Sequence, residues 1–315
     1  MILSHLSEYC TYSCQLKSKT IILIAGPTAV GKTALAVEIA KKLNTEIISA
    51  DSRQCYRELN IGVAKPDALQ LQEVKHHFIN SHSIHENLNA AVFEKYALNA
   101  VQDIFHRHDV AVLVGGTGLY IKAFCEGLDE IPAVAPGIRN IIKENFNQSG
   151  ISWLQDQLRI HDPVYFSTAE IHNPQRLMRA LEVKLGTGRS IRDFQQNKKS
   201  SRDFNLVKIG LHLPREQHHE FINTRVDEMV TRGLIHEVEN LLPYKSFAAL
   251  QTVGYAEIFA YFDRKLVLEE AIEQVKKNTR HYAKRQLTWF RKDTTIQWYT
   301  PFDKEKILDL YQAFL

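Results

Sequence analysis

Residues 20–36 read TIILIAGPTAVGKTALA. The first six are apolar or β-branched without alternation, the pattern of a strand buried on both faces. Residues 33–43 (TALAVEIAKKL) then set Leu35, Ala36, Ile39, Ala40 and Leu43 on one helical face. Between them, Gly26-Pro27-Thr28-Ala29-Val30-Gly31-Lys32-Thr33 fits the phosphate-loop pattern G-x-x-x-x-G-K-S/T without a mismatch. The glycines let the backbone wrap closely and aim successive N–H groups at phosphate oxygens, and the following helix adds the positive end of its dipole. Lys32 supplies a cation, and the Thr33 hydroxyl is a ligand suited to Mg²⁺. Such a turn serves ATP and other diphosphates alike, so it leaves the reaction open.

Working outward, EIISA (46–50) is a second strand ending on Asp51, residues 91–107 read as a helix, and VAVLV (110–114) is a third buried strand running into GGTG. Strands alternating with helices predict an α/β protein with a P-loop-containing parallel sheet core flanked by helices. After Gly127 the pattern changes. DEIPAVAPG (129–137) is a proline-bearing connector, and IRNIIKENFNQ, WLQDQLRI and PQRLMRALEVKLG read as helices separated by polar breaks. QQNKKSSRDFN (195–205) returns the chain to a further strand, LVKIGLHL (206–213). The expected organisation is an N-terminal leader over 1–19, a catalytic core from 20–127 plus 201–315 with C-terminal helices, and a helical insertion over 128–200.

The 315 residues, 44% hydrophobic and 24% charged, suit a packed core of one large or two ordinary domains. No run approaches the roughly 18 apolar residues of a membrane span, and residues 1–19 lack the basic start of a signal peptide. Four scattered cysteines suit a reducing cytoplasm rather than a disulfide framework, and the fourteen histidines include no H-E-x-x-H metal pattern. Net charge is only +3, so bulk charge does not announce a nucleic-acid partner.

Three constellations carry chemistry. In a parallel sheet, ligands collect beyond the carboxyl ends of the strands, so residues 26–33, Asp51 and Gly115–Gly118 should converge. Asp51 is then either a functional carboxylate or the cap of a following turn. An ATPase strand usually ends in an Mg²⁺-holding Asp; AVLV is followed by Gly115-Gly116-Thr117-Gly118 instead. On residues 276–292 (KKNTRHYAKRQLTWFRK), helical spacing gathers Lys277, Arg280, His281, Lys284, Arg285, Arg291 and Lys292 with almost no acid. That stripe fits a solvated helix face or a polyanion such as an RNA backbone. In PQRLMRALEV (174–183), Arg176 and Arg179 share a face suited to phosphates or to solvent, and Gln175 could read a base edge.

Taken together these residues resemble the bacterial tRNA dimethylallyltransferases, also called tRNA isopentenyltransferases. The matching blocks are GPTAVGKT (26–33), ADSRQCY (50–56), IGVAKP (61–66), HHFIN (76–80), LVGGTGLYIKA (113–123), PQRLMRALEV (174–183), TGRSI (187–191), RVDEMVTRGL (225–234), VGYAEI (253–258) and TRHYAKRQLTWFR (279–291). They run in order from about residue 20 to 300. The resemblance implies that residues 26–33 hold the diphosphate of dimethylallyl diphosphate with Mg²⁺ rather than hydrolyse ATP. It implies transfer of the dimethylallyl group to N6 of the adenosine at tRNA position 37, by a cytoplasmic monomer. Asp51 is the expected general base, Arg225 the arginine that stabilises the departing diphosphate, and Thr117 a residue of the reaction channel. By the same resemblance, Asp51, Ser52, Arg53 and Gln54 and Gln175, Arg176, Leu177, Met178 and Arg179 lie against the anticodon stem-loop. Arg139 in the insertion and Arg280, Lys284 and Arg285 on the basic helix add backbone contacts.

Three positions depart from the family pattern: Val63 where Thr is common, Asn80 where Asp is usual, and Phe221 where Arg is frequent. The alternatives are an adenylate isopentenyltransferase, which would have no use for an anticodon-docking insertion, and a P-loop small-molecule kinase, which would consume ATP. A non-catalytic RNA-binding protein would not need Lys32, Thr33 and Asp51 together.

Overall fold

A computed structural model describes residues 19–196 and 198–309; the expected leader, apart from Lys19, lies outside them. Strand β1 (Thr20–Ala25), buried throughout, runs into helix α1 (Lys32–Lys42). There follow β2 (Ile47–Ser49), α2 (Ala68–Glu73), β3 (His76–His77), α3 (Ala90–Phe105), β4 (Val110–Gly115) and α4 (Gly118–Glu126). The insertion contributes α5 (Pro136–His161), α6 (Pro163–Thr168) and α7 (Pro174–Thr187). After it come β5 (Asn205–Leu211), α8 (Arg215–Thr231), α9 (Leu234–Asn240), α10 (Ala256–Phe262), α11 (Leu268–Phe290), β6 (Gln297–Tyr299) and α12 (Lys304–Asp309).

The strands form one sheet in the order β3-β2-β4-β1-β5-β6, every neighbour pair parallel. β1 therefore lies inside the sheet, with Ala25 level with Gly115 on one side and Gly210 on the other. This register delivers the loops after β1, β2 and β4 to the same edge, where a doubly wound sheet opens its crevice. The core of Ile22, Ile24, Val112, Val114, Ile209 and Leu211 packs against Leu35, Ala36, Ile39 and Ala40 of α1, the helical face read from the sequence.

Strand β2 is shorter than residues 46–50. Glu46 is buried and held by Arg107 (2.6 Å), His77 (2.6 Å) and Lys75 (3.2 Å), so it anchors the strand's start rather than extending it. Strands β3 and β6 had no sequence signal: two- and three-residue segments are too short for periodicity, and only their neighbours in the sheet define them.

Glu126–Ser200 forms a compact unit of its own, and the described residues before and after it form the other. Within the smaller unit, α5 joins the two expected helices across Gly150, whose φ of 71° and ψ of −165° break the helical path. It packs with α6 and α7 around Leu154, Leu158, Leu177, Leu181 and Ile191. Ser200 N–H donates to Glu126 C=O (2.8 Å), tying the two ends of the unit together.

Candidate active site

At the carboxyl edge of the sheet lies a cavity of about 650 Å³, lined by Thr28–Ala34, Ser49, Asp51, Gln54, residues 63–66, Gly115, Gly116, Arg225, Tyr282 and Gln286. Its floor is the P-loop. Gly26 adopts φ 149°, and a side chain there would meet Leu211 O at 2.6 Å, so only glycine lets the loop leave the sheet so tightly. Gly31, at φ 90°, caps α1 and points the helix start at the cavity. Gly26 and Pro27 are buried beneath the wall; Pro27 C=O accepts from Lys32 Nζ at 2.6 Å. Burial pushes the Lys32 ammonium down to about 7, with Arg225 adding to the fall and Asp51 opposing it.

Thr28 is pinned at three atoms. Its N–H donates to Gln286 Oε1 (2.8 Å), its C=O is hydrogen-bonded to His218 Nε2 (2.8 Å), and its Oγ1 accepts from Arg225 Nη1 (3.3 Å). The Thr28 amide is thus spent inside the protein, and the amides offered to a ligand begin at Ala29 rather than at Thr28. Ala29 holds φ 61°, a conformation rare for a residue other than glycine. Thr33 lines the cavity, and its hydroxyl has no protein partner among the described residues.

Asp51 caps a turn and also faces the cavity. Its Oδ1 accepts from Arg53 N (2.8 Å) and Gln54 N (3.3 Å), capping the turn after β2. Oδ2 has no hydrogen-bond partner among the described residues, and the residue lines the cavity. Thr117 stands behind this turn: Oγ1 accepts from Ser52 N (3.0 Å) and donates to Ser52 Oγ (3.4 Å). Tyr282 of α11 lines the same cavity, and burial raises its phenol to about 12.

The opposite wall is the 60–66 loop. Glu237 accepts from the N–H groups of Asn60 (3.1 Å), Ile61 (2.7 Å) and Gly62 (3.0 Å) and from the Tyr255 hydroxyl (2.6 Å). Gln54 Nε2 donates to Val63 O (3.3 Å) and Ala64 O (2.9 Å), so Gln54 is occupied as a brace between the walls. Asn80, the departure from Asp, accepts from Lys65 Nζ at 2.5 Å and so keeps a bond to that lysine with a neutral oxygen. Phe221 reaches the cavity, is 41% exposed, and supplies no cation.

The other expected contacts divide. Along α11, Lys277, His281, Lys284 and Arg285 are exposed, as are Arg291 and Lys292 just beyond its end. Among the described residues none of these cations is ion-paired; Arg285 lies over the Tyr282 ring at 5.7 Å. Arg280 donates to Asn223 Oδ1 (2.6 Å). Arg53 donates to Ala248 O (3.3 Å). In the smaller unit Arg139 and Gln175 are exposed. Leu177 corrects its expected role: it is 0% exposed in that unit's core, with Met178 packed partly against it, so its side chain cannot meet RNA. Arg176 and Arg179 are likewise not free cations; they pair with Glu170 (2.6 Å) and Glu182 (3.1 Å).

Sequence reasoning missed His218, Glu237 and Gln286. Gln286 sat in the AKRQ block, but its polarity on the inner side of an otherwise apolar face was the only available signal. His218 and Glu237 offered none: His218 bonds the Thr28 carbonyl and Glu237 the amides of residues 60–62 and the Tyr255 hydroxyl, groups that only the fold brings near.

Residues 54–293 match the family model described as IPP transferase. Over 282 residues the chain is 49% identical to a tRNA dimethylallyltransferase of Christiangramia forsetii, covering 90% of this chain and 93% of that protein. A tRNA dimethylallyltransferase of Cytophaga hutchinsonii is 42% identical over 298 residues, 95% of this chain and 98% of that one. Among solved structures, a tRNA isopentenylpyrophosphate transferase from Bacillus halodurans is similar with a TM-score of 0.68 at 37% identity, covering 94% of this chain and 95% of that one. A eukaryotic dimethylallyltransferase acting on tRNA gives 0.75 at 27% identity, over 91% and 75%.

Proposed function

The chain belongs to the IPP transferase family, and on that premise we propose that it moves a dimethylallyl group from dimethylallyl diphosphate to tRNA. The acceptor is N6 of the adenosine at position 37, on the 3′ side of the anticodon. The observation that carries the reading is the placement of Asp51 on the same cavity wall system as the P-loop, with Oδ2 unoccupied by protein partners.

An exocyclic adenine amine is a weak nucleophile and must lose a proton as its bond to carbon forms. Asp51 Oδ2 accepts that proton while Oδ1 stays fixed by the turn amides. The N–C bond forms as the allylic C–O bond breaks, and diphosphate leaves with the electron pair. Lys32, Arg225 and the amides of 29–33 face the growing negative charge, which is where preorganised donors lower a barrier most. Among the described residues no three His, Cys, Asp or Glu side chains cluster as a metal cage. Thr33, whose hydroxyl lines the cavity without a protein partner among the described residues, is the residue that would hold Mg²⁺, a hard cation that prefers oxygen ligands. When bound, Mg²⁺ neutralises leaving-group charge.

The tRNA is held by its backbone along α11, with the acceptor base unstacked into the cavity. We propose further that the protein works as a monomer in the cytoplasm. No helix among the described residues is long and apolar enough to cross a membrane. The test is transfer from radiolabelled dimethylallyl diphosphate with Mg²⁺ to unmodified tRNA, with parallel AMP. Label on tRNA and not on AMP is expected. Label on AMP alone would make it an adenylate prenyltransferase, and ATP turnover without label would make it a kinase.

A further inference from the structure

Gln286 is a buried polar side chain on α11 that takes no part in the proposed chemistry. Each end of its amide bonds a loop far from the other in sequence: Oε1 accepts from Thr28 N–H (2.8 Å), and Nε2 donates to Gly116 C=O (2.9 Å). The fit is close. A side-chain carbon at Gly116 would lie 2.3 Å from Gln286 Nε2, and one at Gly118 would lie 2.3 Å from the Trp289 ring. Gln286 and Trp289 thus seat one face of α11 on residues 116–118.

Each loop tied by Gln286 leads directly to reacting groups. On one side, Thr28 precedes Ala29, whose left-handed φ of 61° an alanine leaves readily unless its neighbours hold it. On the other, Gly116 precedes Thr117, which fixes Ser52 and with it the turn that orients Asp51.

We infer that Gln286 is a positioning residue: its one amide locks the diphosphate-binding loop to the loop behind the base, setting donor and acceptor halves of the site in register. Its assigned role acts through the two loops, since each end of the amide bonds a backbone group of one of them. The inference rests on the proposed prenyl transfer, and it deepens that reading by naming what aligns the two halves.

The test is Gln286→Met, which keeps length and bulk and removes both hydrogen bonds. Inorganic pyrophosphate with Mg²⁺ is titrated calorimetrically into native and variant protein, and transfer kinetics are run on both. Expected are a roughly tenfold rise in pyrophosphate Kd and a kcat loss on the order of 10²-fold, the cost of about an ångström of misplacement. The KM for tRNA should stay within about twofold, because the outer cations of α11 are untouched. A folded variant with native pyrophosphate Kd and native kcat overturns the inference. So does a variant that loses pyrophosphate and tRNA affinity in equal measure with its melting temperature, the mark of a merely structural glutamine. If Gln286→Met does not fold, Gln286→Asn, which keeps the amide but withdraws it by one methylene, takes its place with the same expectations. Native protein that binds pyrophosphate but labels no tRNA would fail the functional reading and leave the pyrophosphate comparison to judge Gln286. Native protein that binds no pyrophosphate would overturn both.

Discussion

Residues 26–33 and 174–179 both bring cations to the first turn of a helix, yet the two segments are supported in opposite ways. In the P-loop, Thr28 is held by His218, Arg225 and Gln286, partners some 190 or more positions away in the chain. In α7, Arg176 and Arg179 are answered by carboxylates six and three residues away, and Leu177 turns inward. Long-range pins fix a loop to fractions of an ångström, as chemistry on a small diphosphate demands. An exposed ion pair such as Arg176–Glu170 fixes little and exchanges readily for phosphate oxygens, which suits a surface following a nucleic-acid backbone. Substitutions in the first region should therefore change rate, and in the second, stability or affinity.

The largest effect is expected at Asp51. Asp51→Asn keeps an oxygen for the Arg53 and Gln54 amides but cannot take a proton, so kcat should fall by about 10²–10⁴-fold. Pyrophosphate binding should be unchanged. Near-native turnover in a single-turnover assay would remove Asp51 from the chemistry and leave it as a cap.

Next comes Lys32. Lys32→Met should lower kcat by about 10²–10³-fold, the range for losing one preorganised donor at developing charge. Its pH dependence sharpens the point. Burial brings the ammonium from its ordinary 10.5 down to about 7. Between those values the unfolded chain holds a proton that the native state has lost, so this group makes native stability rise with pH. Diphosphate affinity should run the other way, weakening as pH rises through about 7 and the cation is lost. Calorimetric titration of pyrophosphate from pH 6 to 9 should show that fall in native protein and a flatter profile in Lys32→Met.

How much of this was written in the sequence follows from range. β1, α1 and the P-loop were legible because their signals are contiguous: an apolar run, a 3.6-residue period and a glycine spacing that backbone geometry requires. After Gly127 the sequence changes period, and Glu126–Ser200 is a compact unit of its own. Gln286, His218 and Glu237 were not legible, because their work is done by hydrogen bonds to backbone groups brought near only by the fold. Leu177 shows the converse. A motif carries core and contact residues side by side, and resemblance transfers both without telling them apart.

Leu177 accordingly gives the sharpest contrast in the second region. Leu177→Ala should destabilise the smaller unit by about 2–5 kcal/mol, as for other buried leucines. Arg176→Ala, which removes an exposed ion pair, should cost at most about 1 kcal/mol. Chemical denaturation of both variants checks the pair, and equal losses would mean that Leu177 is not a core group.

The smallest effect belongs to α11, and it separates its two faces. Lys284 and Arg285 are exposed and free of ion pairs among the described residues, while Gln286, next in the chain, lies on the buried side. Replacing both with alanine removes cations that a phosphate backbone would meet and leaves the hydrogen bonds to Thr28 and Gly116 intact. Affinity for tRNA should fall several-fold at moderate salt. The slope of log K against log salt should become shallower by roughly 0.7–0.9 for each phosphate that the variant no longer neutralises. The KM for dimethylallyl diphosphate should not move. An unchanged salt slope would assign this stripe to solvent. A raised KM for the diphosphate would instead mean that the outer face of α11 communicates with the P-loop, and that the division drawn between the two faces is too clean.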